Sequence, residues 1–138
     1  MAHAHWFFGN LYEEIVRMPD RLADDREAGR REGLLTGGSP VHYYLPAAPL
    51  LLASTGAAVA GRWHRSEARR ALLAGAVCSA AGVVMTGYLI PTVNHRLLVG
   101  PKLPEQERQQ LVKRWHRINR ARLMLAAGAS VAFRLAAR

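Results

Sequence analysis

The stretch Trp115-His116-Arg117-Ile118-Asn119-Arg120-Ala121-Arg122 lies where a charged segment of the chain gives way to an apolar run. A proline that can begin a helix precedes it, and the pattern predicts one long helix over 104–136. Trp115, Asn119 and Arg122 are spaced by four and three residues, so they fall on one helix face. An arginine at an apolar boundary needs an acceptor or water, which predicts that this face meets polar partners on neighbouring helices.

Apolar residues are gathered into blocks along the chain. Half of the 138 residues are hydrophobic, yet the mean hydropathy is close to zero. The blocks are 41–61, 71–91 and 121–137, and the first two contain no Asp, Glu, Lys or Arg. Each is close to the roughly 20 residues that cross a bilayer core. The sequence therefore predicts three transmembrane helices, the last carrying Arg122 and Arg134 near its ends, where arginine can reach the interface.

The N-terminal segment predicts a further helix over 3–18, ended by Pro19. It is too short and too polar to be a span by hydropathy, and either burial against the other helices or an interfacial position would suit it. The predicted fold is all-α, a membrane four-helix bundle in a single domain 1–138. The other predicted helices cover 41–61, 69–90 and 104–136. The mixed-charge segment 20–40 is expected to be solvated.

The net charge of +9 fits membrane flanks better than a nucleic-acid surface, because the basic residues border the apolar blocks. We expect no nucleic-acid partner, and an integral protein of a bacterial cytoplasmic membrane with the arginine-rich loop 61–70 inside. No cleaved signal peptide is expected. The single cysteine, Cys78, lies within an apolar block and excludes an intrachain disulfide. A homo-oligomer stays open.

Polar side chains are expected to meet at one end of this bundle. They come from all four predicted helices and their ends: Glu13, His42, Tyr44, Asn94, His95, Trp115, His116, Asn119 and Arg122. Facing helices commonly build sites in this way. Each residue also has a purely structural reading. Glu13 and Arg122 could form a buried ion pair, Asn94 could cap a broken helix, Trp115 could belong to the core, and His3 reads as a flanking residue.

A transition metal is a candidate cofactor only through the placement of His42, His95 and His116. No local metal-binding spacing supports it. The chain also lacks a phosphate-binding loop, a nucleophile elbow and a redox cysteine pair.

Four short motifs resemble the small integral-membrane anthrone oxygenase-like proteins. They are Gly9-Asn10-Leu11-Tyr12-Glu13, Ser39-Pro40-Val41-His42-Tyr43-Tyr44, Pro91-Thr92-Val93-Asn94 and Trp115-x-x-x-Asn119-x-x-Arg122. The resemblance implies a four-helix membrane bundle and, for some members, oxidation of an anthrone carbon to a quinone by molecular oxygen in aromatic polyketide pathways of secondary metabolism. It assigns site roles to Asn10, Glu13, Asn94, Trp115, Asn119 and Arg122. Members usually have a longer apolar first helix, and here this chain departs from them.

Together these features favour a membrane-embedded oxidoreductase acting on a small lipophilic aromatic substrate, with molecular oxygen as co-substrate. Glu13 or a histidine would be the base. Arg122, Asn119 and Asn94 would stabilise an oxyanion, and Trp115, Tyr44 and Asn10 would bind the substrate. The alternative is a non-catalytic membrane module that binds a lipophilic ligand or a partner protein.

Overall fold

The computed structural model describes residues 2–27, 29, 40–99 and 101–138, and within these residues every regular element is helical, as predicted. The chain forms six α-helices, a 3-10 turn (Ser66–Ala68) and a π-helical turn (Ile90–Asn94). The α-helices are α1 (Ala2–Ile15), α2 (Met18–Glu27), α3 (Pro40–Arg62), α4 (Arg69–Leu89), α5 (His95–Leu98) and α6 (Glu105–Ala137). The long helices match the predicted ranges closely. Ser39 and most of the segment predicted to be solvated lie outside the described residues.

The first helix is shorter than predicted. It ends at Ile15, three residues before the predicted end, and Arg17 adopts a left-handed backbone with φ of 49°. Pro19 does not end α1, because it lies in the first turn of α2, where its missing N–H costs no helical hydrogen bond. The break sends the chain back toward α6, and Asp20 at the start of α2 reaches His116.

Small residues let α4 and α6 approach closely, as the composition of α4 predicted. Gly75, Ser79 and Gly82 are buried on α4, and Ala126 and Ala129 are buried on α6. A Cβ placed on Gly75 would lie 2.8 Å from the Phe133 ring of α6. This contact requires glycine at position 75.

The surface of the helices is apolar over much of its area. Two segments, His42–Arg62 and Ser66–Leu97, are long and apolar enough to cross a membrane, and only 17% and 22% of their most apolar windows are buried. Leu45, Val77 and Val84 are among the exposed side chains. Two of the three predicted spans meet this criterion. In the described ranges α6 does not, because arginines interrupt its apolar run, so the third span and the membrane four-helix bundle stay predictions.

The helical path does not stop at Pro91. After α4 ends at Leu89, the chain continues in a π-helical turn, which is wider than an α-helical turn. Pro91 lies in the π-helical turn that follows Leu89, and α5 then continues to Leu98. The continuation carries Val93 and Leu97 into an apolar cluster with Leu89 and Trp115. The N-terminal half of α6, which carries Trp115, is therefore packed against the end of α4, the π-helical turn and α5.

Candidate active site around Arg122

Buried polar residues from three helices form one hydrogen-bonded network inside the molecule. Asn10 and Glu13 come from α1, Tyr44 from α3, and Asn119 and Arg122 from α6. Asn10 and Asn119 are fully buried, and Glu13 and Arg122 are nearly so. The sequence predicted site roles for all of these residues, and the structure brings them together.

Tyr44 links α3 to α1 at the centre of the network. Its hydroxyl hydrogen faces two acceptors, Oε2 of Glu13 at 2.7 Å and Oδ1 of Asn10 at 3.0 Å. Its ring packs edge-on against Trp6, with a centroid separation of 5.1 Å. Tyr44 therefore fixes the carboxyl of Glu13 against an aromatic wall.

The two asparagines tie α1 to α6 and fix each other's orientation. Asn10 donates from Nδ2 to the backbone carbonyl of Trp6, so its Oδ1 is left to accept from Tyr44. Asn119 donates from Nδ2 to the backbone carbonyl of Asn10 and to Oε2 of Glu14, each at 3.0 Å. Its Oδ1 is thereby turned toward Arg122.

Arg122 is held mainly by aromatic rings. Its Cζ lies 5.2 Å from the ring centroid of Tyr44 and 5.8 Å from that of Trp6, within cation–π range. Nη1 donates to Oδ1 of Asn119 at 3.3 Å. Nε and Nη2 are buried and find no acceptor among the residues that the structure describes. A buried cation with two unpartnered donor nitrogens is costly unless an acceptor arrives, so this arrangement is suited to an anionic or strongly polar ligand atom.

Glu13 forms no direct hydrogen bond or ion pair with Arg122 among the contacts of the described residues, so the buried ion pair considered above is not present. Tyr44 contacts both side chains instead. Burial raises the pKa of the Glu13 carboxyl, and the hydrogen bond from Tyr44 and the charge of Arg122 oppose that rise without cancelling it. The ionised carboxylate is accordingly a stronger base than a solvated one.

A second polar cluster lies beside this network, nearer the solvent. Its central residue is Glu14, to which the sequence assigned no site role. The carboxylate of Glu14 contacts Nδ1 of His116 at 3.0 Å and Nε of Arg120 at 2.8 Å, and it accepts from Asn119. His116 Nε2 lies 3.0 Å from Oδ2 of Asp20. The adjacent Glu13-Glu14 pair was the available signal, because helix geometry sends neighbouring side chains to different faces.

The pKa values of Glu14 and Asp20 are both lowered in this cluster. For Glu14, desolvation raises the pKa, but the hydrogen bonds from Asn119, His116 and Arg120 together outweigh it. For Asp20, desolvation is again opposed by the contacts with His116 and Arg17. Both carboxylates are therefore structural partners of a cationic surface, in contrast to Glu13.

Two predicted site residues lie outside this network. Trp115 is buried in the apolar cluster with Leu89, Val93 and Leu97, one turn before Asn119 on α6. These surroundings fit a core residue, and a substrate-stacking role stays a prediction. Asn94 is half-buried in the π-helical turn, and its side chain makes no hydrogen bond to any residue of the described ranges. The aromatic ring that packs against both Tyr44 and Arg122 belongs to Trp6, to which the sequence assigned no site role.

The candidate metal ligands do not converge. His42 and His95 are exposed, and His116 is bound to Glu14 and Asp20 on opposite sides of its ring. In the part of the chain that the structure describes, no group of three or more His, Cys, Asp or Glu side chains could hold a metal ion. The residues present do not fit the predicted histidine-bound metal.

His3 is not the flanking residue that the sequence suggested. Its Nε2 lies 2.9 Å from Ser79 Oγ on α4 and 3.1 Å from Thr55 Oγ1 on α3. Its ring also packs against Phe133. Hydroxyls inside both apolar blocks were the only sequence signal for a polar partner at this depth.

Comparison with known proteins matches this chain to one family. The sequence model of the anthrone oxygenase family matches residues 40–132, which is more than half of the chain. The match includes Tyr44, Asn119 and Arg122 and excludes α1, and it confirms the resemblance found in the motifs. No curated protein and no solved structure matches the chain. On this match over more than half of its length, the chain belongs to the anthrone oxygenase family.

Proposed function

We propose that this protein is a membrane-embedded oxygenase that converts a lipophilic, anthrone-like aromatic substrate to the corresponding quinone with molecular oxygen. Family membership supports the reaction class. The apolar exterior of α3 and α4 supports the location, because core helices of a soluble protein would be mostly buried and these are mostly exposed. The observation that carries the proposal is Arg122, which keeps two buried donor nitrogens, Nε and Nη2, without an acceptor in the described part of the chain.

The substrate in this proposal places its oxygen at Arg122. An anthrone has a carbonyl conjugated through its rings to a methylene carbon, and loss of a methylene proton moves negative charge onto the carbonyl oxygen. Nε and Nη2 of Arg122 would donate to that oxygen as the charge develops. Trp6 and Tyr44 would pack beside the aromatic rings. Asn119 acts as a positioning residue, since its Oδ1 holds Nη1 of Arg122.

Glu13 is the proposed base, with Tyr44 holding its carboxyl in place. The carboxylate takes one proton from the methylene carbon and leaves the electron pair in the enolate. Molecular oxygen oxidises that enolate, and a carbon–oxygen bond forms at the former methylene carbon. The resulting peroxide anion takes the proton back from Glu13 to give a hydroperoxide. Loss of the second proton from this carbon, with cleavage of the oxygen–oxygen bond, gives the quinone carbonyl and one water. One anthrone and one dioxygen thus yield one quinone and one water.

All of these groups come from a single chain, so the proposal requires no partner subunit. No role is assigned to Asn94, and none of the steps uses a metal.

The test measures oxygen consumption and quinone formation by the purified protein in lipid nanodiscs with anthrone as the substrate. The rate without protein is subtracted, since anthrones oxidise slowly in air. Arg122→Met should lower kcat/KM by about 10²–10³-fold, the scale of a lost oxyanion donor. Arg117→Met, on the exposed side of the same helix, is the matched control and should retain activity.

Binding of anthrone, followed by tryptophan fluorescence, distinguishes the alternative function. A protein that binds anthrone at Arg122 without consuming oxygen would be a binding module, and this result would overturn the proposed enzyme. Equal activity of Arg122→Met and the unmodified protein would also overturn it.

A further inference from the structure

A small internal cavity lies between α1, α3, α4 and α6, next to the proposed active site. Its volume is about 10 Å³, close to the space of one diatomic molecule or one water. Its walls include His3 and Trp6 of α1, Ser79 and Gly82 of α4, and Ala126 and Ala129 of α6. The small residues that allow close packing of α4 and α6 therefore also leave this space.

The polar groups of His3 and Ser79 in the cavity wall are bonded to each other. Ser79 donates its hydroxyl hydrogen to the backbone carbonyl of Gly75 at 2.8 Å, so its oxygen accepts from Nε2 of His3. Thr55 likewise donates to the carbonyl of Leu51 and accepts from the same nitrogen. An internal water usually needs two to four polar partners, and these bonds withdraw the nearest ones. The cavity is thus better suited to a small apolar guest.

Trp6 joins the cavity to the proposed active site. Its ring lies 5.8 Å from Cζ of Arg122 and also forms part of the cavity wall. Its indole Nε1 would lie 3.9 Å from a Cβ on Gly82, on the cavity side. Ala126 follows Arg122 by one helical turn, a rise of about 6 Å. The Trp6 indole therefore borders both the cavity and the guanidinium of Arg122.

We propose that this cavity holds dioxygen before it reacts with the enolate at Arg122, an inference that rests on the proposed function. Dioxygen is small, uncharged and apolar, and it partitions into the hydrocarbon that surrounds α3 and α4. From the cavity it passes the indole edge of Trp6 and forms its bond to the enolate carbon. The oxygen atoms and electrons then follow the reaction given above. The cavity supplies only a local store of the oxidant.

Dioxygen itself tests this assignment directly, because it is paramagnetic and shifts the signals of nuclei beside which it resides. The measurement is the nuclear magnetic resonance signal of the Trp6 indole N–H in detergent micelles, recorded under increasing oxygen pressure. The unmodified protein should show a saturable shift of that signal. Ala129→Val adds two methyl groups to the cavity wall and should abolish the shift. Ala74→Val adds the same groups to an exposed position of α4 and should leave it intact.

Oxygen kinetics provide the second readout. Ala129→Val should raise KM for oxygen about tenfold and leave kcat at saturating oxygen and KM for anthrone unchanged, the signature of lost oxygen binding alone. If Ala129→Val does not fold, the oxygen titration of the unmodified protein decides. No saturable oxygen-induced shift, or a bound water seen at the Trp6 N–H, overturns the dioxygen site while leaving the proposed function standing. Absence of oxygen consumption by the unmodified protein overturns both.

Discussion

Glu13 and Arg122 both contact Tyr44, yet within the described chain they form no ion pair with each other. The carboxyl of Glu13 accepts the Tyr44 hydroxyl at 2.7 Å, and Cζ of Arg122 lies 5.2 Å from the centre of the Tyr44 ring. Two buried charges usually pair, because each is costly alone. Here both charged groups contact the same tyrosine instead of each other.

Glu13→Gln should lower turnover by about 10²–10⁴-fold and leave the protein folded. The amide oxygen of glutamine can still accept from Tyr44, so the network that joins α1 to α3 persists, but the base is lost. Quinone formation and thermal unfolding in nanodiscs measure the two effects. Glu14→Gln is the control and should lower stability without a comparable loss of turnover. A Glu13→Gln protein that is unstable yet fully active would show that Glu13 is only structural.

Phenylalanine substitutions at the two buried tryptophans, Trp6 and Trp115, should distinguish a residue of the candidate site from a residue of the apolar core. Trp6→Phe should weaken anthrone binding, because phenylalanine is a poorer cation–π partner for Arg122 and lacks the indole N–H. Trp115→Phe should instead lower the free energy of unfolding by about 1–3 kcal/mol, since it leaves a gap in the cluster with Leu89 and Val93. Fluorescence titration with anthrone and denaturant unfolding provide the measurements. Weakened binding in Trp115→Phe alone would reverse these assignments.

Trp6 and Trp115 together show what helical periodicity in a sequence can and cannot predict. Spacings of four and three correctly predicted that Trp115, Asn119 and Arg122 share a buried face. They could not predict that this face meets apolar side chains at Trp115 and polar ones at Asn119, because the neighbours come from distant parts of the chain. For the same reason the partners of His3, which are 52 and 76 residues away, had no local signature.

Acid should destabilise the protein through Glu14 and Asp20. Both carboxyls have lowered pKa values in the folded state, so their contribution is fully present above the unfolded values of 4.5 and 3.8. It is lost as the pH falls below these values and through the folded ones. Unfolding measured in detergent from about pH 7 to pH 3 should show this loss. The Glu14→Gln, Asp20→Asn double variant should show a flatter acid limb, and an unchanged limb would rule out the two carboxyls as its source.

Alanine substitutions at two glycines of α4 should have different effects on the stability of the protein. Gly75→Ala brings a Cβ to within 2.8 Å of the Phe133 ring, which also packs on His3, and should destabilise the protein by about 1–3 kcal/mol. Gly87→Ala meets nothing within 4 Å and should be neutral or stabilising by up to about 1 kcal/mol, since alanine favours the helix. Thermal unfolding in micelles compares them. Equal midpoints would show that the α4–α6 contact tolerates a methyl group at position 75.

The predicted helices agree with the structure where the sequence has long uninterrupted apolar blocks. They disagree at Pro19, which interrupts the first helical segment. Long apolar blocks gave α3 and α4 almost to the residue. Pro19 was interpreted as the end of one helix, but it lies in the first turn of the next, and only the left-handed Arg17 shows where the chain turns. The arginines of α6 left its apolar run too broken to qualify as a span, although one of them belongs to the site.

The site is divided between the matched segment 40–132, which carries Tyr44 and Arg122, and α1, which carries Trp6, Asn10 and Glu13 outside it. The cation and the proposed base therefore lie on separate segments that an experiment can exchange independently. Chimaeras that graft the first helix of one relative onto the remainder of another would then transfer substrate preference as a unit.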